Sequence, residues 1–87
     1  MVLDFTAVWC PPCKKIGPIF VAMASESAYL NSVTFRKLDV DQVQEVAPSC
    51  RVSAFPTFVM FVGGREVERV EGAIEENLRA MINRHKR

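Results

Sequence analysis

Residues 7–20 read AVWCPPCKKIGPIF, a stretch in which two cysteines are separated only by prolines. The preceding residues, MVLDFTAV (1–8), are apolar and β-branched apart from one acid, which predicts a buried strand. An apolar stripe at helical spacing follows the cysteines: Ile16, Ile19, Phe20, Met23 and Ala24. The segment YLNS (29–32) is predicted to close this helix. Cys10 and Cys13 therefore stand where a strand is followed by an amphipathic helix.

The position of Cys10 favours a reactive thiolate. Because Cys10 precedes Pro11, its backbone is pushed out of the α region, so Cys10 is the natural N-cap and Pro11 the first helical residue. The sulfur then faces free N–H groups and the positive end of the helix dipole. Cys13 lies about one turn further on, where it can attack a mixed disulfide formed at Cys10.

Two other interpretations of the pair stay open at this point. A zinc site could be drawn from Cys10, Cys13, Cys50 and His85, since three cysteines and one histidine form a known donor set. A second CxxC or HxxC pair is absent from the sequence, however. The pair could also be a structural disulfide, although a bridge across so short a loop stabilises little. The sequence favours a dithiol–disulfide couple over both.

The rest of the chain predicts an α/β fold of order β-α-β-α-β-β-α in a single domain, 1–87, with a mixed sheet flanked by helices. The three further strands are VTFRKLDV (33–40), AFPTFVMFV (54–62) and REVERVEG (65–72), the last two joined by a hairpin at Gly63 and Gly64. The two further helices are 41–50, with Asp41 as N-cap, and a segment from Ile74 whose apolar face comprises Ile74, Leu78, Met81 and Ile82.

The composition excludes several classes of function. The 87 residues are 49% hydrophobic and 24% charged, with a net charge of +1, so nothing favours binding to nucleic acid or to an anionic membrane. No apolar run approaches the roughly 18 residues of a membrane span. The first residues, MVLDF, do not resemble a secretory signal. Three cysteines, an odd number, favour a reducing compartment and predict a cytoplasmic protein.

Four segments in this order, VLDFTAVWCPPCKKIGPIF, KLDVDQ, VSAFPTFVMFVGG and VEGA, resemble the thioredoxin family over essentially the whole chain. The resemblance implies a thioredoxin fold and a protein-disulfide reductase, with Cys10 as the exposed attacking cysteine and Cys13 as the buried resolving one. It implies disulfide-containing proteins as substrates, and a thioredoxin reductase or a dithiol to regenerate the pair. It implies no cofactor beyond the Cys10–Cys13 disulfide, and no metal, nucleotide or flavin site is expected.

The resemblance also implies a surface that binds the substrate. Trp9 corresponds to the indole beside the cysteines, and Pro56 to a cis-proline opposite them. The backbone of Ala54 and Phe55 is expected to pair with an extended substrate chain. The remaining residues of this surface are Pro11, Pro12, Gly72 and Ala73.

Asp4 resembles the family's buried aspartate beneath the cysteines. A carboxylate in an apolar strand is desolvated, so its pKa should rise, and it could accept the proton of Cys13 through water. Lys37 falls where some members carry a lysine near that aspartate, and it should partly oppose the rise. Of the two adjacent lysines after Cys13, Lys14 is the one expected to add a positive field at the site.

The chain departs from the family pattern at three places. Most thioredoxins have Gly-Pro between the cysteines, whereas Pro-Pro occurs in tryparedoxins and nucleoredoxin-like proteins, which puts the choice of substrate in question. Cys50 is an additional cysteine, expected to be a bystander or else a site of regulatory oxidation or of an intermolecular disulfide. Family members usually begin with a further strand and helix, whereas this sequence starts directly at the strand that leads to the cysteines.

Without that strand and helix, strand 33–40 is expected to be an exposed edge that invites self-association. The competing interpretation of function is a non-catalytic interaction module, or a truncated thioredoxin with impaired turnover.

Overall fold

The computed structural model describes residues 1–40 and 52–86. Its elements are β1 (Val2–Thr6), α1 (Pro11–Met23), β2 (Phe35–Asp39), β3 (Thr57–Val62), β4 (Arg65–Glu71) and α2 (Glu75–His85). The helix predicted for 41–50, and with it Cys50, lies outside the described residues. The other six predicted elements are confirmed in order and type.

The four strands form one mixed sheet in the order β2-β1-β3-β4. β1 runs parallel to β2 and antiparallel to β3, which is in turn antiparallel to β4. Gly63 and Gly64 link β3 to β4 with φ values of +60° and +79°, the left-handed conformation that a two-residue hairpin loop requires. β1 thus lies inside the sheet, and its carboxyl end leads directly into the cysteine motif.

Two buried clusters occupy the two faces of this sheet, because the side chains of a strand alternate between faces. The first joins both helices to the sheet and includes Val2, Ile16, Phe20, Met23, Phe58, Met60, Leu78, Met81 and Ile82. The second lies on the opposite face and comprises Phe5, Ala7, Cys10, Cys13, Val40 and Val59. The two cysteines are therefore packed against the end of β1 as part of a hydrophobic cluster.

Several strand ends differ from the predicted bounds by one to three residues, most at the start of β3, and two predictions about the helices also differ from the structure. The first helix was expected to reach residues 29–32, but α1 ends at Met23 and hydrogen-bonded turns follow. After Met23 the backbone tightens, since the N–H groups of residues 24–26 donate to carbonyl groups three positions earlier instead of four. Ile74 was expected on the apolar face of the last helix, yet it is the N-cap of α2 and is 54% exposed. Its extended backbone places it outside the helical repeat.

No helix within residues 1–40 and 52–86 is long and apolar enough to cross a membrane.

Candidate active site

Cys10 is the N-cap of α1, with an extended backbone, and Pro11 and Pro12 occupy the first helical positions. Its Sγ accepts a hydrogen bond of 3.2 Å from the backbone N–H of Cys13. The two cysteines form a disulfide, with their Cα atoms 5.3 Å apart. The first turn of α1 contains no acidic residue, so no carboxylate competes for the positive end of the helix dipole. The predicted N-cap geometry is confirmed.

The expectation that Cys10 is exposed is wrong for this disulfide form. Cys10 is 3% exposed and Cys13 is 4% exposed, so both are buried. The reason is the N-cap itself, which turns the sulfur of Cys10 back towards the amide of Cys13. What lies open to solvent is the surrounding rim, where Pro11 and Pro12 are exposed and Trp9 is 61% exposed.

A second loop lies beside this rim and carries Phe55 and Pro56. The ring of Phe55 meets that of Trp9 edge to face, with centroids 5.6 Å apart and planes at 85°. The Phe55–Pro56 peptide bond is cis, as the resemblance implies. The backbone N–H of Gly72 donates a 2.9 Å hydrogen bond to the carbonyl of Pro56. The fold thus brings Trp9, Phe55, Pro56 and Gly72 together from three separate segments, and Ala54 and Ala73, both half-buried, flank them in sequence.

Asp4 is buried in β1, with an exposed fraction of 1%. Its Oδ1 has no hydrogen-bond partner among the residues that the structure describes. Burial raises the pKa of Asp4 from its ordinary value of 3.8 to about 6, and the positive charge of Lys37 opposes that rise. Asp4 and Lys37 are direct neighbours in the register of β1 and β2. Both predicted effects on the carboxyl group are therefore confirmed in direction.

A solvent-open groove of about 550 Å³ reaches Cys13 and Lys37, while the buried Asp4 is not part of its lining. Its lining comprises Thr6, Ala7, Val8, Cys13, Lys14, Gly17, Pro18, Lys37 and Asp39. Lys37 reaches across it, because a Cβ built on Gly17 would lie 3.6 Å from the Lys37 Nζ. Thr6 was not predicted from the sequence, although its spacing of two from Asp4 places both side chains on the same face of β1.

The alternative zinc donors do not come together within the described residues. The Nε2 atom of His85 lies 2.9 Å from Glu68 Oε1, and Arg84 pairs with the same carboxylate. Hydrogen bonds from Arg84 and His85 lower the pKa of Glu68 to about 2. Among residues 1–40 and 52–86, no group of three or more potential ligands could hold a metal ion.

The sequence model of one family, Thioredoxin, matches residues 1–84. The chain belongs to the thioredoxin family. A thioredoxin from Ictalurus punctatus is 43% identical over 86 residues, which are 99% of this chain and 79% of that protein. Thioredoxin H4 of Arabidopsis thaliana is 46% identical over 85 residues, covering 98% of this chain and 70% of that protein.

Solved thioredoxins have the same fold as this chain. The X-ray structure of Fasciola hepatica thioredoxin superposes with a TM-score of 0.90 at 48% identity, covering 98% of this chain and 79% of that one. The Nicotiana alata thioredoxin NaTrxh superposes with a TM-score of 0.91 at 43% identity, covering 99% of this chain and 72% of that one.

With the Cys10–Cys13 disulfide, this membership makes the chain a thiol–disulfide oxidoreductase of the protein-disulfide type. Thioredoxins in general act on disulfides in proteins and are recharged by a reductase. Nothing in the comparisons favours the non-catalytic module that was the competing interpretation.

Proposed function

We propose that this thioredoxin reduces disulfides in partner proteins by attack from Cys10 and resolution by Cys13. The main support for this mechanism is the hydrogen bond from the Cys13 N–H to the Cys10 Sγ at the start of α1. In the reduced form the same donor and the helix dipole stabilise a thiolate on Cys10.

The exchange takes place in two steps that move two electrons to the partner. The Cys10 thiolate forms a bond to one sulfur of the partner's disulfide, and the other sulfur leaves as a thiolate. Cys13, once deprotonated, then bonds to the Cys10 Sγ and displaces the second partner sulfur. The partner leaves as a dithiol after protonation, and the thioredoxin leaves with the Cys10–Cys13 disulfide.

Asp4 is the base that we assign to the second step. With a pKa of about 6, its carboxyl group is mostly ionised at neutral pH and still close enough to neutrality to take up a proton. The groove brings water to Cys13 and to Lys37, the neighbour of Asp4 in the register of β1 and β2, and we propose that water carries the proton over the remaining step to Asp4. The charge of Lys37 lowers the pKa of Asp4 against the larger effect of burial, and Lys14 adds a second positive charge to the groove wall.

The substrate-binding surface is the apolar rim beside the disulfide. Trp9 and Phe55 offer ring faces and edges, and the exposed prolines at 11 and 12 present a rigid edge above the sulfurs. An extended segment of the partner pairs with the backbone at Ala54 and Phe55, which gives affinity without strict sequence preference. Pro56, Gly72 and Ala73 form the floor next to this segment.

A thioredoxin reductase or a small dithiol regenerates the couple, and no cofactor beyond the cysteine pair takes part. The odd number of cysteines supports a reducing compartment, and we assign the protein to the cytoplasm. We also propose that copies of the chain associate along β2, which among the described residues is paired only with β1. Sedimentation across a concentration series tests this association, and a monomer at every concentration would refute it.

Insulin reduction tests the main proposal. With dithiothreitol as the final reductant, wild-type protein should accelerate the precipitation of insulin chains, and Cys10→Ser should reduce the rate to that of dithiothreitol alone. Cys50→Ser is the matched control, since it removes a thiol that the mechanism does not use, and it should keep the wild-type rate. Equal rates for the wild type and Cys10→Ser would refute the mechanism.

A further inference from the structure

Thr57, the first residue of β3, carries a hydroxyl group that the mechanism above leaves without a role. The residue is completely buried, so it cannot touch a bound partner. Its Oγ1 donates a 2.6 Å hydrogen bond to the carbonyl oxygen of Ala54, three residues earlier. This contact spans the loop that presents Phe55, and it ties the beginning of that loop to the buried end of the sheet.

The hydrogen bond determines the direction of an entire peptide group. The bond between Ala54 and Phe55 is a planar trans peptide, in which the C=O and the N–H point in opposite directions. Because Thr57 holds the Ala54 carbonyl towards the buried side, the N–H of Phe55 is directed away from it. Among residues 1–40 and 52–86, no backbone acceptor takes up that N–H.

The other end of the loop is held independently. The carbonyl of Pro56 accepts a hydrogen bond from the N–H of Gly72, and the ring of Phe55 rests against Trp9. Without the hydroxyl, the Ala54 carbonyl would remain half-buried without its partner, and rotation of the peptide towards another donor would carry the Phe55 N–H with it. The Gly72 contact does not prevent this rotation, because it acts on the opposite side of Phe55.

We propose that Thr57 is a positioning residue that orients the Phe55 N–H for pairing with the extended chain of a protein substrate. The inference deepens the proposed function and rests on it, because it needs a partner chain that pairs at Ala54 and Phe55. Thr57 touches neither the substrate nor the sulfurs. Its hydroxyl therefore contributes to the recognition of proteins and is not needed for thiol–disulfide exchange itself.

A comparison of two disulfide substrates tests the inference. Thr57→Val removes the hydroxyl at nearly constant shape, and Thr57→Ser keeps it. Thr57→Val should raise KM for insulin about two- to tenfold, the range that the loss of one hydrogen bond gives, with kcat little changed. Its rate with the small disulfide dithiobis(nitrobenzoate), which has no chain to pair, should remain as in the wild type. Thr57→Ser should restore the wild-type KM.

Ile82→Val is the control for lost stability, since it removes one methylene from a buried side chain of α2 away from the loop. It should lower the melting temperature and leave KM for insulin unchanged. An increase in KM in this control, an unchanged KM in Thr57→Val, or an equal loss with both substrates would overturn the assignment. If Thr57→Val does not fold, Thr57→Ala against Thr57→Ser makes the same comparison. A wild-type protein that reduces the small disulfide but not insulin would instead overturn the proposed function itself.

Discussion

Replacing Asp4 by asparagine should stabilise the protein at neutral pH and have little effect in acid. The carboxyl group is 1% exposed, and one of its oxygens has no partner among the described residues. Its pKa is 3.8 ordinarily and about 6 in the folded chain. Since each tenfold change in acidity corresponds to about 1.4 kcal/mol, keeping this carboxylate ionised in the fold costs about 3 kcal/mol. Asp4→Asn removes that cost.

The sign of the pH dependence follows from the two pKa values. Well below pH 3.8 the carboxyl group is protonated in both the folded and the unfolded chain, so its ionisation costs the fold nothing. As the pH rises from 3.8 to about 6, the unfolded chain ionises first, and the free energy of unfolding falls. Above this window both forms are ionised and the full cost applies. The advantage of Asp4→Asn should therefore grow with pH and level off above about pH 7.

Urea unfolding of the oxidised protein measures this difference directly. The free energy of unfolding of Asp4→Asn should exceed that of the wild type by about 2.4 kcal/mol more at pH 8 than at pH 4. The pH-dependent part is the test, because the new amide has a burial cost of its own at every pH. Glu76→Gln, which removes an exposed carboxylate from α2, is the control for net charge. A difference that stays constant across this range would refute the reasoning.

Three further predictions concern the cysteines, the groove and the rim. Cys13→Ser should accumulate a mixed disulfide between Cys10 and a partner protein, visible by mass spectrometry; the absence of any adduct would contradict the order of attack. Lys37→Gln removes the positive charge that lowers the pKa of Asp4, so this pKa should move above about 6. NMR of the Asp4 carboxyl carbon measures it, and an unchanged or lower pKa would contradict the assigned coupling. Trp9→Ala, which removes an exposed ring at the rim, should raise KM for insulin about tenfold with a smaller change in kcat; an unchanged KM would exclude the ring from substrate binding.

The elements of the fold were predictable because their signals are local. A short apolar, β-branched run defined β1, alternation with charged residues defined β4, and Gly63 and Gly64 defined the hairpin that joins β3 to β4. The N-cap role of Cys10 was equally predictable, since it depends only on the following prolines. The end of α1 and the exposure of Ile74 were not, because both depend on which side chains the neighbouring segments can cover.

The candidate site divides in the same way. The redox pair and the desolvation of Asp4 could be argued from neighbours in the sequence. The burial of Cys10 could not, since it depends on a sulfur turned into the helix end and on a hydrophobic cluster that also includes Val59 of β3. The contact between Trp9 and Phe55 could be expected only from the family resemblance, because 46 positions separate them along the chain.

The sequence by itself determined which chemistry this protein carries: two thiols at a strand-to-helix junction, at a position where the backbone favours a thiolate. Only the tertiary structure decided how exposed the disulfide is and which surface a partner protein can bind. In the folded chain the disulfide is buried, and Lys37 lies across the groove that reaches Cys13. The hydroxyl of Thr57 holds the loop at Phe55 through its hydrogen bond to Ala54. The reason is physical: a cap is set by bonds between residues three positions apart, whereas burial and access require surfaces that only packing brings together.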